Sequence, residues 1–360
     1  FTITSSLLSS VTAPNSLEGI NVRMTPTDPY FRSVPLEAEF KESSLSYGFA
    51  GNLIAENLSY NYVNNGTDGI VNLLGTIEIV YVFNTDTSGT YIEYYIDNGM
   101  RQYIEEVGTF EFVPVSLAVN NDWRLFDDFT ESSDEHWSIC KEATSHTYDG
   151  AINFVFDESA ESFIDLDYMR TLPSNENWQI VAHAITSTVT DGSNANFLSE
   201  FEIEIDNYSQ LLGFEFYVRF FDNNTQIILY YYDSIGTEIT AYNNLGSKVE
   251  NINLRCYIAS SESAENQRVL HFEYATYLGG WNNVATFNLD TGAYSGQNLI
   301  SGTLNKQLAS STDRFAVGFE AETASGLSNL TNQVQLSVDN IAIDILNNDL
   351  YFSITYIVNF

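Results

Sequence analysis

Basic residues are scarce in this 360-residue chain: 13 Lys and Arg stand against 48 Asp and Glu, a net charge of −35. Phosphate-rich partners need clustered Lys and Arg, so the balance argues against nucleic acid and anionic membrane. Cysteine is limited to Cys140 and Cys256. They could form one disulfide but no framework, and CxxC pairs, zinc spacings and haem motifs are missing. The four histidines, His136, His146, His183 and His271, are scattered, with none at metal-ligand spacing to another. No run approaches the roughly 20 apolar residues of a membrane span. Nucleophile elbows, Walker loops and GxGxxG patterns are also missing, so nothing points to a nucleotide cofactor. Helical periodicity is nearly absent. The chain starts at Phe1, which suits a removed signal segment or a fragment.

What is present is strand material. Hydrophobic residues make up 44% and aromatics 14%, enough for a sizeable core, while only 17% of residues are charged. Much of the surface must therefore be Ser, Thr, Asn and Gln. That is a common look for secreted and surface-displayed β proteins, and it places the chain outside the cell or on a cell or virion surface.

Short runs of Tyr, Phe, Ile, Val and Thr are broken by Asn, Asp, Gly and Ser. Residues 75–99 read as two strands joined at Asn84–Gly89. Residues 213–242 read as a three-strand meander turning at Asp222–Asn224 and Ser234–Gly236, and 268–289 as a hairpin turning at Gly279–Gly280. Strands at this spacing predict an all-β protein of two β-sandwich domains. Residues 1–120 supply six or seven strands, suited to an immunoglobulin-like or small jelly-roll sandwich. Residues 121–346 form the second domain. Residues 347–360 hold one more amphipathic strand, with Leu350, Phe352, Ile354, Tyr356, Val358 and Phe360 on one face. That strand pairs with the N-terminal domain or adds to a neighbouring copy.

Three stretches of the second domain carry a family likeness: "WRLFDDFTESSDEHW" (123–137), "LHFEYATYLGGWNNVATFNL" (270–289) and "QVQLSVDNIAIDI" (333–345). With them residues 123–345 resemble the concanavalin A-like, or laminin-G-like, jelly-roll superfamily. The resemblance implies a jelly roll. It leaves function open among sugar-binding modules, enzymes, adhesion domains and structural modules. Laminin-G-like domains often hold calcium with an acid on the closing strand and groups near the opening one. On that resemblance Asp339 and Asp128 are the nearest matches, and Ca2+ is the one metal implied.

The stretch "SEFEIEIDNYS" (199–209) sets Glu200, Glu202, Glu204 and Asp206 on every second residue, with Phe201, Ile203 and Ile205 between them. On a strand this puts carboxylates on one face and apolar side chains on the other. Laminarinase-type hydrolases, which share the jelly roll, carry Glu-x-Asp-x-x-Glu there. Glu204 and Asp206 match its first half, and Ser209 stands where the proton donor belongs. Glu204 and Asp206 are therefore catalytic candidates in a chain predicted not to be an enzyme. A bound cation or a basic neighbour such as Arg219 would relieve the repulsion along the strand. For sugar binding the candidates are Trp281, Glu202 and Glu204, with Trp178 and Tyr230–Tyr232 as further stacking rings. Asn57, Asn65, Asn207, Asn223 and Asn329 begin Asn-x-Ser/Thr triplets, which a chain this rich in Asn, Ser and Thr also produces by chance.

The expectation is a non-enzymatic extracellular structural or adhesive protein. It assembles with copies of itself into a filament, sheath, layer or virion part and displays a lectin-like sandwich. A glycan-binding module and a secreted carbohydrate-active enzyme are the alternatives.

Overall fold

Period-two alternation of apolar and polar residues dictates extended chain. In the computed structural model every element among the described residues is a strand. The described residues are 11–27, 32–114, 116–127, 129, 136–141, 145–148, 151–156, 163–187, 197–221, 223–260, 267–276, 279–323 and 334–345. The expected strand at 347–360 lies outside them. The chain divides into a unit of residues 1–120 with 137–141, and a unit of residues 121–136 with 142–360.

The first unit holds β1 (Asn21–Pro26), β2 (Leu36–Phe40), β3 (Ser44–Phe49), β4 (Asn52–Asn65), β5 (Asp68–Leu73), β6 (Ile77–Thr85), β7 (Ser88–Asp97) and β8 (Met100–Phe112). They pair in chain order, and β1 returns onto β8 from Val22 opposite Phe112 to Pro26 opposite Gly108. The result is a closed barrel of eight strands, in place of the immunoglobulin-like or small jelly-roll sandwich expected of 1–120. Closure leaves no strand edge, which is how an antiparallel sheet of this size disposes of unpaired main-chain groups. Val22, Met24, Phe40, Val71, Tyr81, Tyr91 and Phe110 are buried in its core. Glu106 is buried beside them, paired to Arg32 and accepting the Tyr91 hydroxyl.

The second unit is a sandwich of two antiparallel sheets. It runs through β9 (Leu125–Asp127), then, past β10 (Trp137–Lys141) of the first unit, β11 (Ser145–Tyr148), β12 (Ile152–Phe156), β13 (Phe163–Tyr168), β14 (Leu172–Pro173) and β15 (Trp178–Ser187). Next come β16 (Phe197–Asn207), β17 (Leu212–Phe221), β18 (Thr225–Asp233), β19 (Glu238–Asn244), β20 (Asn251–Ser260) and β21 (Arg268–Thr276). Last are β22 (Asn282–Asn288), β23 (Ala293–Gly296), β24 (Leu299–Thr303), β25 (Arg314–Thr323) and β26 (Val334–Ile345).

One sheet has the order β13-β25-β16-β17-β18-β19. The other has the order β11-β12-β26-β15-β20-β21-β22-β23-β24. The chain crosses from one sheet to the other before β13, β15, β16, β20, β25 and β26, so sequence-distant strands lie side by side. The expected meander and hairpin are present as β17-β18-β19 and β21-β22.

Alternation fills the space between the sheets. Phe201, Ile203 and Ile205 of β16 and Phe214, Phe216, Val218 and Phe220 of β17 face inward and are buried. The Phe214 ring meets Phe272 at 5.4 Å and Phe287 at 5.0 Å, both from the opposite sheet. Trp178 and Tyr231 are equally buried, so these two rings are core and not sugar platforms. Cys256 is a buried free thiol on β20.

Candidate functional site

With Phe201, Ile203 and Ile205 committed to the core, period two aims Glu200, Glu202, Glu204 and Asp206 out of the other side of the same sheet. Register then gathers more acids. Glu202 lies opposite Glu320 of β25, and Glu200 opposite Glu322. Glu320 in turn lies opposite Asp165 of β13. On the other flank Glu204 lies opposite Glu215 of β17. Asp167 stands opposite Gly318, which is itself opposite Glu204. Four adjacent strands thus place nine carboxylates on one face.

Tyrosines continue the face. Tyr217 lies opposite Glu202, Tyr230 opposite Glu215 and Tyr232 opposite Gly213. Tyr230 and Tyr232 stack at 6.0 Å between ring centroids. The Tyr232 hydroxyl donates to Asp206 Oδ1 at 3.0 Å across β17. Gly213 makes that bond possible, because a Cβ there would sit 2.3 Å from the Asp206 oxygen and 2.4 Å from the Tyr232 hydroxyl.

This is not a washed face. Glu200 and Glu202 are only 5% and 7% exposed. Among the described residues the ion pair reaching the cluster is Arg219 with Glu200, with the Arg219 guanidinium 5.2 Å from the Tyr217 ring centre. Glu202 Oε1 is buried with no hydrogen-bond partner. Carboxylate oxygens of Glu202, Glu204 and Glu320 lie within 4.8 Å of one another.

Burial and mutual repulsion both disfavour the ionised form. Burial, then Glu320, Asp167 and Glu322, push Asp165 up to about 8. Burial and then Glu322, Glu200 and Glu215 push Glu320 up to about 7. Glu200 rises to about 7 through burial, against the pull of Arg219. Asp206 rises to about 6 through burial, held back by the Tyr232 hydrogen bond. Glu202 and Glu204 are held well above the usual carboxylate range, by burial first and then by neighbouring acids.

The structure unites some of the residues singled out from sequence and separates others. Glu202, Glu204 and Asp206 share the acidic face. Ser209 stands in the exposed turn after β16, and Glu215 brings a carboxylate to Glu204 from β17 instead. Trp281 does not join Glu202 and Glu204. It opens the β22 side of a hairpin in the other sheet, 39% exposed, with the Arg255 guanidinium 4.2 Å from its ring centre. The expected sugar trio is thus split between opposite faces of the sandwich.

Asp128 lies outside the described residues. Asp339 is on β26, and its side chain is outside them too. Asn57, Asn65 and Asn223 are exposed, and Asn329 lies outside the described residues. Asn207 is a correction. It is buried, and its Nδ2 donates to the Leu308 carbonyl at 2.9 Å and to Asp313 at 3.2 Å, so a glycan cannot be carried there in the folded chain.

Sequence reasoning passed over Asp165, Asp167, Glu215, Glu320 and Glu322. A signal was there: "FIDLDY" (163–168) and "GFEAET" (318–323) repeat the alternation of β16.

No family model and no curated protein matches the chain. Among solved structures it is similar to the carbohydrate recognition domain of Emp46p in a potassium-bound form, at 9% identity and TM-score 0.38, covering 63% of this chain and 98% of that one. It is similar to winged bean acidic lectin complexed with methyl-alpha-D-galactose, at 11% identity and TM-score 0.37, covering 62% and 99%. It is also similar to a mutant of the alginate lyase Aly36B in complex with alginate tetrasaccharide, at 9% identity and TM-score 0.32, covering 64% and 99%.

Proposed function

We propose that the second unit is the non-enzymatic binding module of an extracellular structural or adhesive protein, and that it holds neutral polysaccharide on the acidic face. One observation carries this reading: the run of carboxylates on β25, β16 and β17 continues directly into Tyr217, Tyr230 and Tyr232. Carboxylates accept hydrogen bonds from sugar hydroxyls, and tyrosine rings stack on the apolar faces of sugar rings. The net charge of −35 on the chain repels uronic-acid polymers. The test is a polysaccharide array probed with the whole chain and with a Tyr230→Ala, Tyr232→Ala double variant. Binding to neutral glycans that the variant loses supports the reading. An empty array for the parent, or equal binding by the variant, overturns it.

The non-enzymatic part has its own support, since no carboxylate occupies position 209. The observation favouring hydrolysis is Glu204 facing Glu215 across β16 and β17. Reducing-end release from neutral polysaccharides that Glu204→Gln abolishes would replace the binding reading with an enzymatic one. The expected result is no release by either protein. Self-assembly rests on Leu350–Phe360, outside the described residues, and draws nothing from this face.

A further inference from the structure

We propose that Glu202, Glu204 and Glu320 form a calcium site at the centre of the acidic sheet. Three features point there. Their oxygens lie within 4.8 Å of one another. A calcium shell with oxygens at about 2.3–2.6 Å is about 4.6–5.2 Å across, which matches the scale of that separation. Glu202 is 7% exposed, and its Oε1 has no hydrogen-bond partner. A buried carboxylate oxygen left unpaired carries a desolvation cost that a cation would remove. Finally, the arginine of this face is engaged elsewhere, because Arg219 binds Glu200 one row away.

The local build suits a hard, hydrated ion. Three carboxylates offer up to six oxygens, and water completes a shell of about six to eight. Glycine at 318 keeps the approach to Glu204 open, since a Cβ there would stand 3.2 Å from Glu204 Oε2. Two strands supply the three ligands, and no loop residue takes part. The site is therefore separate from the pair Asp128 and Asp339 that the jelly-roll resemblance implies. It shares a face with the proposed sugar surface but needs no sugar, and its test uses none.

Tyr217, opposite Glu202, lies where it can sensitise a bound lanthanide. Terbium is added to the chelator-washed full chain, tyrosine is excited, and calcium is titrated against the terbium emission. The expected result is sensitised emission that calcium displaces, together with a calcium-dependent rise in melting temperature. Glu202→Gln and Glu320→Gln each weaken terbium and calcium binding by about tenfold or more, as the loss of a charged ligand does. Both variants relieve repulsion, so each melts no lower than the parent in chelator, which separates lost binding from lost folding. The proposal is overturned if the parent shows neither emission nor a calcium shift. It is equally overturned if Glu202→Gln binds as the parent does, or if Asp339→Asn alone abolishes binding.

Discussion

A buried carboxylate that repels its neighbours must hold a proton or meet a cation, and the choice makes stability depend on pH. Asp165 is raised to about 8, Glu200 and Glu320 to about 7 and Asp206 to about 6. In the unfolded chain the same groups ionise near the ordinary values of about 4. Between about pH 4 and pH 8 the native state therefore binds more protons than the unfolded one, and stability falls as pH rises through that window. In chelator, the melting temperature followed by circular dichroism is expected to drop from about pH 5 to pH 8. A rise over that range would contradict the protonated cluster. A second residue-scale test concerns Gly213, whose missing Cβ leaves room for the Tyr232–Asp206 hydrogen bond. Gly213→Ala is expected to lower stability by about 1–3 kcal/mol by overpacking, read by urea denaturation. The inward set Phe201, Ile203 and Ile205 was legible in β16 because period two needs no partner strand. Glu320 and Asp165 were not tied to Glu202, because the strands carrying them lie far away in sequence and only pairing across the sheet brings them adjacent.

Elements were legible where turns announce them. The breaks at Asp222–Asn224, Ser234–Gly236 and Gly279–Gly280 fall between the observed strands, since Asn, Asp and Gly supply the conformations those turns require. Closure of the first unit was not legible. A barrel wall and a sandwich face both bury one side, so their alternation reads alike, and the pairing of β1 with β8 joins the two ends of the segment. Two substitutions probe the elements. Phe214→Ala removes a ring set between Phe272, Phe287 and Tyr231, and is expected to cost about 3–5 kcal/mol. In the barrel, Arg32 bonds Glu106 at 2.8 Å and reaches Glu93 at 3.7 Å. Arg32→Met strands a buried acid and is expected to cost a similar about 3–5 kcal/mol. Differential scanning calorimetry checks both, and a loss well under about 1 kcal/mol in either would show that site to be poorly packed.

At the scale of the whole molecule, a net charge of −35 works against compactness, since like charges repel more strongly folded than spread out. Salt shortens the reach of that repulsion, from about 30 Å at 0.01 M to about 3 Å at 1 M. The melting temperature is expected to climb with sodium chloride, and a steady fall would mean that attractive pairs dominate.

The eight-strand ring has a further consequence for growth beyond one chain. A ring of strands has no first or last member, so each strand in it already has a neighbour on both sides. Such a body can neither take in a visiting strand nor seed a continuous sheet without first being torn open. The two sheets of the second unit do have ends, β19 and β24 among them. Ile300 on β24 stands 89% exposed. A strand added to this protein without opening the ring would have to find one of those sheet ends.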